Sequence, residues 1–147
     1  DALGKCKSAA QDTTTSRFDA DWHARAVEAY APYKFVLAFE NKNLPGYVTE
    51  KLALAFLSGA VPVYWGHSES AKAIFNGRAF IDCGDFSSLQ ACADHVSKVD
   101  ADPLLYDALA SASPLCCGNE SLARLRPIDT LVEALSPSEE KKDSSFF

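Results

Sequence analysis

The stretch that decides the fold is residues 34–65, which read KFVLAFENKNLPGYVTEKLALAFLSGAVPVYW. Its two ends, residues 34–39 and 60–65, are near-continuous apolar runs of strand length, as expected for strands that are covered on both faces of a parallel sheet. Between them, apolar side chains recur at helical spacing over residues 48–56, and Gly59 suits the end of that helix. The stretch therefore predicts a β-α-β unit.

The alternation of helices and strands continues on both sides of this unit. Upstream, Asp19 or Asp21 is expected to cap a helix that Pro32 ends. Downstream, the pattern predicts a short helix, a third strand and two further helices, at residues 68–75, 79–82, 87–99 and 103–110. In the helix at 87–99, the residues expected to face inward are Leu89, Cys92 and Val96. A last short helix is expected at 128–135, before a polar tail at 136–145 whose composition indicates disorder.

Strands that alternate with helices form a parallel sheet with right-handed crossovers, and such sheets bind ligands beyond the carboxyl ends of their strands. Pro62 has no N–H to donate, so it belongs near the start of its strand or at a sheet edge. The loops that follow the three strands are therefore expected to lie together at one edge. They are residues 40–47, 66–69 and 83–86.

The composition limits the classes of protein that fit. With 147 residues, of which 48% are hydrophobic, the chain is long enough for one domain and too short for two of ordinary size. A net charge of −6 argues against a broad basic surface for nucleic acid. No apolar run approaches the roughly 20 residues that span a bilayer. The chain opens without Met or a signal peptide and is interpreted as a fragment, which leaves open an anchor upstream of Asp1.

The five cysteines leave two interpretations open. They form no Cys-x-x-Cys pair, so neither a zinc ribbon nor a thioredoxin-like motif is indicated. Lumenal disulfides would fit the glycosylation sequon at Asn119 and an oxidising compartment. Buried free thiols and a chance sequon fit equally well. The cysteines are Cys6, Cys83, Cys92, Cys116 and Cys117.

Two charged residues, Glu50 and Lys51, open an otherwise apolar helix. A lysine there faces the positive end of the helix dipole, which is unfavourable by about a few tenths of a kcal/mol unless an anion lies nearby. A phosphate would resolve that conflict, and the ammonium would stabilise a diphosphate leaving group. Glu50 would accept hydrogen bonds from hydroxyls such as those of a ribose, or would only compensate the helix dipole.

The loop before this helix supplies further candidates. Residues 45–46 predict a turn, and Thr49 is a candidate helix cap. The Tyr47 ring would pack on a base or a sugar, although an aromatic beside a turn is more often a hydrophobic staple. Glu40 and Asn41 leave the first strand at its carboxyl end, where polar side chains address a ligand or only solvent.

Three runs in this region, YKFVLAFEN, GYVTEKL and AVPVYWG, resemble the signature of the α1,3/α1,4-fucosyltransferases. They occupy residues 33–41, 46–52 and 60–66. Residues 1–6 and 79–86 also resemble that family, so the resemblance covers roughly residues 1–109. Agreement over so many ordered positions is far more specific than a lone Thr-Glu-Lys.

The resemblance implies a two-domain GT-B architecture, of which this α/β chain is the C-terminal, Rossmann-like half. Residues 1–117 would form the domain that binds GDP-fucose, and residues 118–147 a largely irregular extension. The N-terminal domain, with the acceptor and the catalytic base, would be absent, as would an arginine that shares the diphosphate with the lysine. The chain alone would therefore bind donor without transferring fucose, and no catalytic residue is assigned within it.

By the same resemblance, Glu50 would hold the ribose, Lys51 the diphosphate, and Asn41 and Tyr47 other donor groups near the fucose. Glu40 completes the predicted substrate-binding set. The acceptor hydroxyl, deprotonated by the base of the other domain, would displace GDP in one inverting step. The acceptor would be the 3- or 4-hydroxyl of a GlcNAc or glucose unit in a glycan, as in protein glycosylation.

The resemblance also sets the expected compartment and partners. A eukaryotic enzyme of this family would lie on the lumenal side of the Golgi membrane, with its membrane anchor outside this chain. A bacterial one would lie in the cytoplasm or at the inner membrane surface. The expected partners are GDP-fucose and, through the missing domain, a glycan.

No metal or other cofactor is expected. Residues 19–21, an Asp-x-Asp triplet, are interpreted as a helix cap, and no such triplet stands where a divalent ion would bridge a diphosphate. His23 and His95 lack metal-binding spacing. His67 and Arg78 are expected to be solvated surface residues.

Three other functions are alternatives to fucosyl transfer. A glycoside hydrolase would need the Glu40 and Glu50 carboxyls roughly 5–10 Å apart across a sugar cleft, and the adjacent Lys51 disfavours it. Another GT-B glycosyltransferase would use a different nucleotide sugar at the same site. The third is a nucleotide-sugar-binding module without catalytic activity.

Overall fold

The computed structural model describes residues 22–115, and the structural statements below concern that part of the chain. It contains three strands, five α-helices and one 3-10 turn, and the strands and α-helices follow the order that the sequence predicts. In chain order they are α1 (Trp22–Tyr30), β1 (Phe35–Phe39), α2 (Lys51–Leu57), β2 (Val61–Trp65), α3 (Ser68–Lys72), β3 (Ile81–Asp82), the 3-10 turn (Cys83–Asp85), α4 (Leu89–Ala101) and α5 (Pro103–Ala110).

Several predictions fall outside these residues. They are the caps at Asp19 and Asp21, the cysteines Cys6, Cys116 and Cys117, the sequon at Asn119, the helix at 128–135 and the extension at 118–147 with its tail.

The three strands form one parallel sheet in the order β1-β2-β3. Phe35 pairs with Val61 at one end and Phe39 with Trp65 at the other, while β3 pairs with β2 only from Val63 onward. The N–H of Val61 donates to the carbonyl of Lys34 on the β1 side at 2.8 Å. The nitrogen of Pro62 therefore faces the opposite side, before β3 begins, where no ladder hydrogen bond is lost.

Helices cover both faces of this sheet. On one face, α2 and α3 pack through a core cluster of Ala38, Leu52, Ala53, Tyr64, Ala71, Phe75 and Phe80. On the other face, α4 packs through Val61, Val63, Ile81, Cys83, Cys92 and Val99. Complete burial of a side chain such as Leu52, 0% exposed, contributes about 1.5–3 kcal/mol to folding. The predicted α/β fold with a parallel sheet and flanking helices is confirmed.

The start of α2 differs from the prediction, and its end agrees. Glu50, not Thr49, is the N-cap residue, and it makes no side-chain cap hydrogen bond. The Thr49 hydroxyl is taken by the buried carboxylate of Glu40 instead, at 2.7 Å. At the other end, Ser58 is the C-cap and Gly59 follows it with φ +79°. A positive φ at that place favours glycine, as predicted.

Two burial predictions are wrong. Leu37 is 70% exposed, because β1 lies at the edge of the described sheet and the helices on that face reach Phe35, through Tyr106, but leave Leu37 open. Leu89 is 54% exposed, because it is the first residue of α4, directly after the N-cap Ser88, where the helix has not yet reached the core. Cys92 is buried and Val96 partly buried, as predicted.

Cys83 and Cys92 form a disulfide between the end of β3 and α4. Both residues are buried, at 5% and 1% exposure. For this pair the disulfide interpretation is therefore the correct one. Among the described helices, none has the length and apolar character required to cross a bilayer.

Candidate functional site

The three loops at the carboxyl ends of the strands are joined to one another. The N–H of Glu40 donates to the carbonyl of Trp65 at 2.8 Å, which links the ends of β1 and β2. The N–H of Gly46 donates to the hydroxyl of Ser70 on α3 at 2.8 Å. Lys72, at the end of α3, reaches the third loop through Asp85 at 2.7 Å. The predicted convergence of these loops at one edge is confirmed.

Glu40 places a carboxylate inside this edge. The residue is 3% exposed, and its side chain has no solvent contact. One carboxylate oxygen accepts from the Thr49 N–H at 2.7 Å, and the other accepts from the Thr49 hydroxyl at 2.7 Å and from the Lys51 ammonium at 3.1 Å. A buried carboxylate is stable only with such donors. Glu40 thus joins the end of β1 to the start of α2.

Lys51 is the first residue of α2 and the charged partner of this carboxylate. Its ammonium lies 3.1 Å from Glu40 and 3.0 Å from the Thr49 hydroxyl oxygen. An ammonium has three N–H donors, so one remains for a further acceptor. The Lys51 side chain is 25% exposed, whereas that of Glu40 is fully buried. Lys51 is therefore the member of the pair that reaches solvent.

The other three predicted site residues surround Lys51 in the chain and are accessible. Asn41 is exposed, and Tyr47 and Glu50 are half-buried. Within residues 22–115 their side chains make no hydrogen bond or ion pair, so their polar atoms are available to a ligand. Burial and, to a smaller extent, the charge of Glu50 raise the pKa of Tyr30.

Tyr64 lies beneath this surface and was not among the predicted site residues. Its side chain is fully buried, and the hydroxyl has no well-aligned hydrogen-bond partner within the described chain. Burial first, then the charges of Glu40 and Asp82, raise the pKa of Tyr64 to about 12, and the nearby His67 amide offsets this only in part. A tyrosine one residue before the end of an apolar strand was the signal available in the sequence.

Gly66 is required above that hydroxyl. A Cβ at this position would collide with the Tyr64 hydroxyl and with the side chain of Glu40. The backbone directly after β2 therefore passes close to Tyr64 and Glu40, and only a residue without a side chain leaves room for both.

A second ionic cluster, also missed from the sequence, fixes the third loop. The Lys72 ammonium lies 3.0 Å from the buried Asp82 carboxylate and 2.7 Å from Asp85. Burial lowers the pKa of Lys72, but its hydrogen bonds to Asp85 and its interaction with the Asp82 carboxylate outweigh burial and raise it overall. The contact with Asp82 is an ion pair without good hydrogen-bond alignment. Two carboxylates on one ammonium leave this cluster without a positive charge to offer an anion.

Of the histidines and Arg78, one residue, His67, takes part in the hydrogen bonds near the site. The ring of His23 lies against Trp22, and that of His95 against Phe86. Arg78 is exposed. His67, by contrast, is the N-cap of α3 and accepts from the Ser70 N–H at 3.3 Å. Within residues 22–115, no three His, Cys, Asp or Glu side chains group as a metal site would require.

The arrangement suits a polar, anionic ligand better than hydrolysis of a sugar. A general acid must reach its substrate, and the Glu40 carboxyl has no solvent exposure and is held by Thr49 and Lys51. This removes the hydrolase alternative that pairs Glu40 with Glu50. The predicted site residues Lys51, Glu50, Asn41 and Tyr47 provide one ammonium, one carboxylate, one amide and one phenol ring.

Comparison with known proteins shows which family the chain resembles. Residues 1–109 match the family model described as "Glycosyltransferase family 10 (fucosyltransferase) C-term". A putative fucosyltransferase of Acanthamoeba polyphaga mimivirus is 37% identical over 112 residues, which are 74% of this chain and 18% of that protein. The alpha-(1,4)-fucosyltransferase of Arabidopsis thaliana is 37% identical over 115 residues, 77% of this chain and 28% of the relative.

A solved structure is also similar. The crystal structure of an alpha1,3-fucosyltransferase with GDP-fucose aligns with a TM-score of 0.62 and 28% identity, over 78% of this chain and 35% of that one. The chain thus spans about a third or less of the length of these relatives. Because the family model matches well over half of the chain, the conclusion is direct: this protein belongs to glycosyltransferase family 10, the fucosyltransferases, and corresponds to the C-terminal part of that family's members.

Proposed function

We propose that this chain is the donor-binding domain of a fucosyltransferase and that it binds GDP-fucose at the carboxyl edge of its sheet. The observation that carries the proposal is the fixed ammonium of Lys51, which retains one donor beyond its bonds to Glu40 and Thr49. The accessible residues Asn41, Tyr47 and Glu50 are its near neighbours in the chain. The presence of GDP-fucose in the crystal structure of a similar alpha1,3-fucosyltransferase supports the choice of ligand.

The family resemblance, together with the contacts of Glu40 and Lys51, suggests a role for each side chain. Lys51 would donate to the diphosphate and neutralise charge as the bond from phosphate to fucose breaks. Glu50 would accept from the ribose hydroxyls, and Tyr47 and Asn41 would contact the donor on the side of the fucose. Glu40 would not touch the donor. It would hold Lys51 and the start of α2 in place, and this replaces a direct donor contact with a positioning role.

The transfer itself belongs to the whole protein. We propose that a carboxylate base outside this chain deprotonates the acceptor hydroxyl, which displaces GDP from the fucose with inversion. The acceptor is a 3- or 4-hydroxyl of a GlcNAc or glucose unit. The names of the relatives include both alpha1,3 and alpha-(1,4) transfer. We therefore propose that the part of the protein that binds the acceptor, outside this chain, determines the linkage position. No metal or cofactor is required in this proposal.

The compartment follows from the same reasoning. In a eukaryotic source the protein would act in the Golgi lumen, attached to the membrane by a segment outside this chain. The buried disulfide between Cys83 and Cys92 supports an oxidising compartment. In a bacterial source the same domain would act in the cytoplasm or at the inner membrane surface.

The test is calorimetric titration of GDP-fucose, GDP and UDP into the 147-residue chain. We expect binding of the guanine nucleotides, and at least tenfold weaker binding, about 1.4 kcal/mol, in Lys51→Met. Because Lys51→Met leaves a buried charge, the double variant Glu40→Gln/Lys51→Met is titrated as well, and it should show the same loss. Lys98→Met, which removes an exposed lysine from α4, is the matched control and should bind as the wild type does.

Two results would redirect the proposal. A preference for UDP over GDP would favour a GT-B glycosyltransferase with another nucleotide sugar. Absence of nucleotide binding by the folded chain would contradict a donor site at this edge.

A further inference from the structure

Within residues 22–115, the loop that leads from Asn41 to Tyr47 has one hydrogen-bonded attachment to another element. Residues 41–46 are all exposed. Within the described chain, the bond from the Gly46 N–H to the Ser70 hydroxyl, 2.8 Å long, is the one hydrogen bond that ties residues 41–46 to another element. It joins positions 24 residues apart in the sequence. The remaining bond of the turn, from the Tyr47 N–H to the Leu44 carbonyl at 3.0 Å, is internal.

The Ser70 hydroxyl is itself held in place. It lies 2.9 Å from Nδ1 of His67, and the Ser70 N–H lies 3.3 Å from the same nitrogen. An amide N–H can only donate, so Nδ1 must accept and the ring proton must be on Nε2. The Ser70 hydroxyl then donates to His67 and accepts from Gly46. These three groups form a chain from α3 to the loop.

The hydrogen bond from Gly46 to Ser70 lies directly before Tyr47, where it affects the path of the loop. Gly46 has φ +77°, a conformation that fixes the direction in which the chain enters Tyr47. On its other side, Thr49 is fixed by Glu40 through two hydrogen bonds of 2.7 Å. Tyr47 thus lies between two anchored points. Without the bond to Ser70, the anchor on the side of residues 41–46 is lost.

We propose that Ser70, oriented by His67, is a positioning residue that orders the loop for ligand binding. The inference rests on the proposed function, because it assigns to this loop the donor contacts of Asn41 and Tyr47. A loop that is ordered before binding loses less conformational freedom when the ligand arrives, so affinity is higher. Ser70 need not touch the donor for this effect.

The experiment compares the 147-residue chain with Ser70→Ala, Ser70→Thr and Ser97→Ala. Ser70→Thr retains the hydroxyl. Ser97→Ala is the matched control, since it also removes an exposed hydroxyl bond, from Ser97 to the Ala93 carbonyl at 3.1 Å, but on α4. Loop order is read without ligand, from heteronuclear NOE values of residues 42–46 and the exchange rate of the Gly46 amide. Affinity is read by calorimetry with GDP.

The expected result is specific to Ser70→Ala. Its Gly46 amide should exchange about threefold to tenfold faster, its loop NOE values should fall, and GDP should bind about threefold to tenfold more weakly, the range for loss of one ordinary hydrogen bond. Ser70→Thr and Ser97→Ala should match the wild type. An unchanged loop in Ser70→Ala, or a loosened loop with unchanged GDP affinity, would overturn the positioning role. A wild-type chain that binds no GDP would instead overturn the proposed function and, with it, this role.

Discussion

Replacing Lys51 by Met should destabilise the fold more than replacing Glu40 by Gln, although both changes break the same ion pair. The Glu40 side chain is fully buried, and the Lys51 side chain is 25% exposed. Lys51→Met leaves a buried carboxylate with only the two hydrogen bonds from Thr49. Glu40→Gln leaves an ammonium that reaches water. The residue left behind, and not the pair itself, therefore decides the cost.

The magnitudes follow from that difference. Breaking a buried ion pair from one side costs about 3–5 kcal/mol when the remaining charge stays buried. We expect about 3 kcal/mol for Lys51→Met, at the lower end because Thr49 still donates twice. For Glu40→Gln we expect about 1–2 kcal/mol, close to the loss of a charged hydrogen bond. The double variant should be more stable than Lys51→Met alone, since it contains no buried charge.

Urea denaturation followed by circular dichroism measures these free energies of unfolding. Asp100→Asn is the control, because it breaks an exposed ion pair of 2.7 Å with side chains 55% and 56% exposed. Its cost should stay below about 1 kcal/mol. Equal costs for Lys51→Met and Glu40→Gln, or a cost for both no larger than that of Asp100→Asn, would refute the burial argument.

Three other predictions concern the surroundings of the site. Reducing the Cys83–Cys92 disulfide, which closes a loop with a sequence separation of 9, should lower the free energy of unfolding by about 2.5 kcal/mol in urea titrations with and without reductant, and Cys83→Ser should be insensitive to reductant. Because the folded pKa of Tyr64 is about 12 against 10.0 for a free tyrosine, stability should fall as pH rises from 10 towards 12; Tyr64→Phe should remove that fall, and an unchanged pH dependence would contradict the burial of the hydroxyl. Treatment with EDTA should leave the affinity for GDP unchanged in calorimetry, and a loss of affinity would indicate a metal that bridges the diphosphate.

The sequence predicted the fold well because the signal for each element was local. Two apolar runs around an amphipathic segment fixed the β-α-β unit, and α5 was predicted with its observed bounds, Pro103–Ala110, because Pro103 marks its first residue. Leu37 could not be predicted in the same way. Whether a strand residue is covered depends on which helices reach it across the sheet, and a run such as residues 35–39 does not contain that information.

The candidate site was predicted in its residues but not in its contacts. The polar loop and the Lys51 at a helix start pointed to this edge of the sheet. The inward position of Glu40 and the contact of Ser70 with the loop depend on groups brought together across 9 and 24 residues. Such pairings have no periodicity in the sequence, so only the folded chain reveals them.

The most direct test of the donor site is an NMR titration of GDP into the isotopically labelled 147-residue chain. We expect saturable shifts of the backbone amides of residues 41–51, together with the side chains of Asn41 and Lys51. Amides at the opposite edge of the sheet, such as Gly59 and Ala79, should not move. Shifts confined to that opposite edge, or none at residues 41–51 at saturating GDP, would contradict a donor site at the carboxyl ends of the strands.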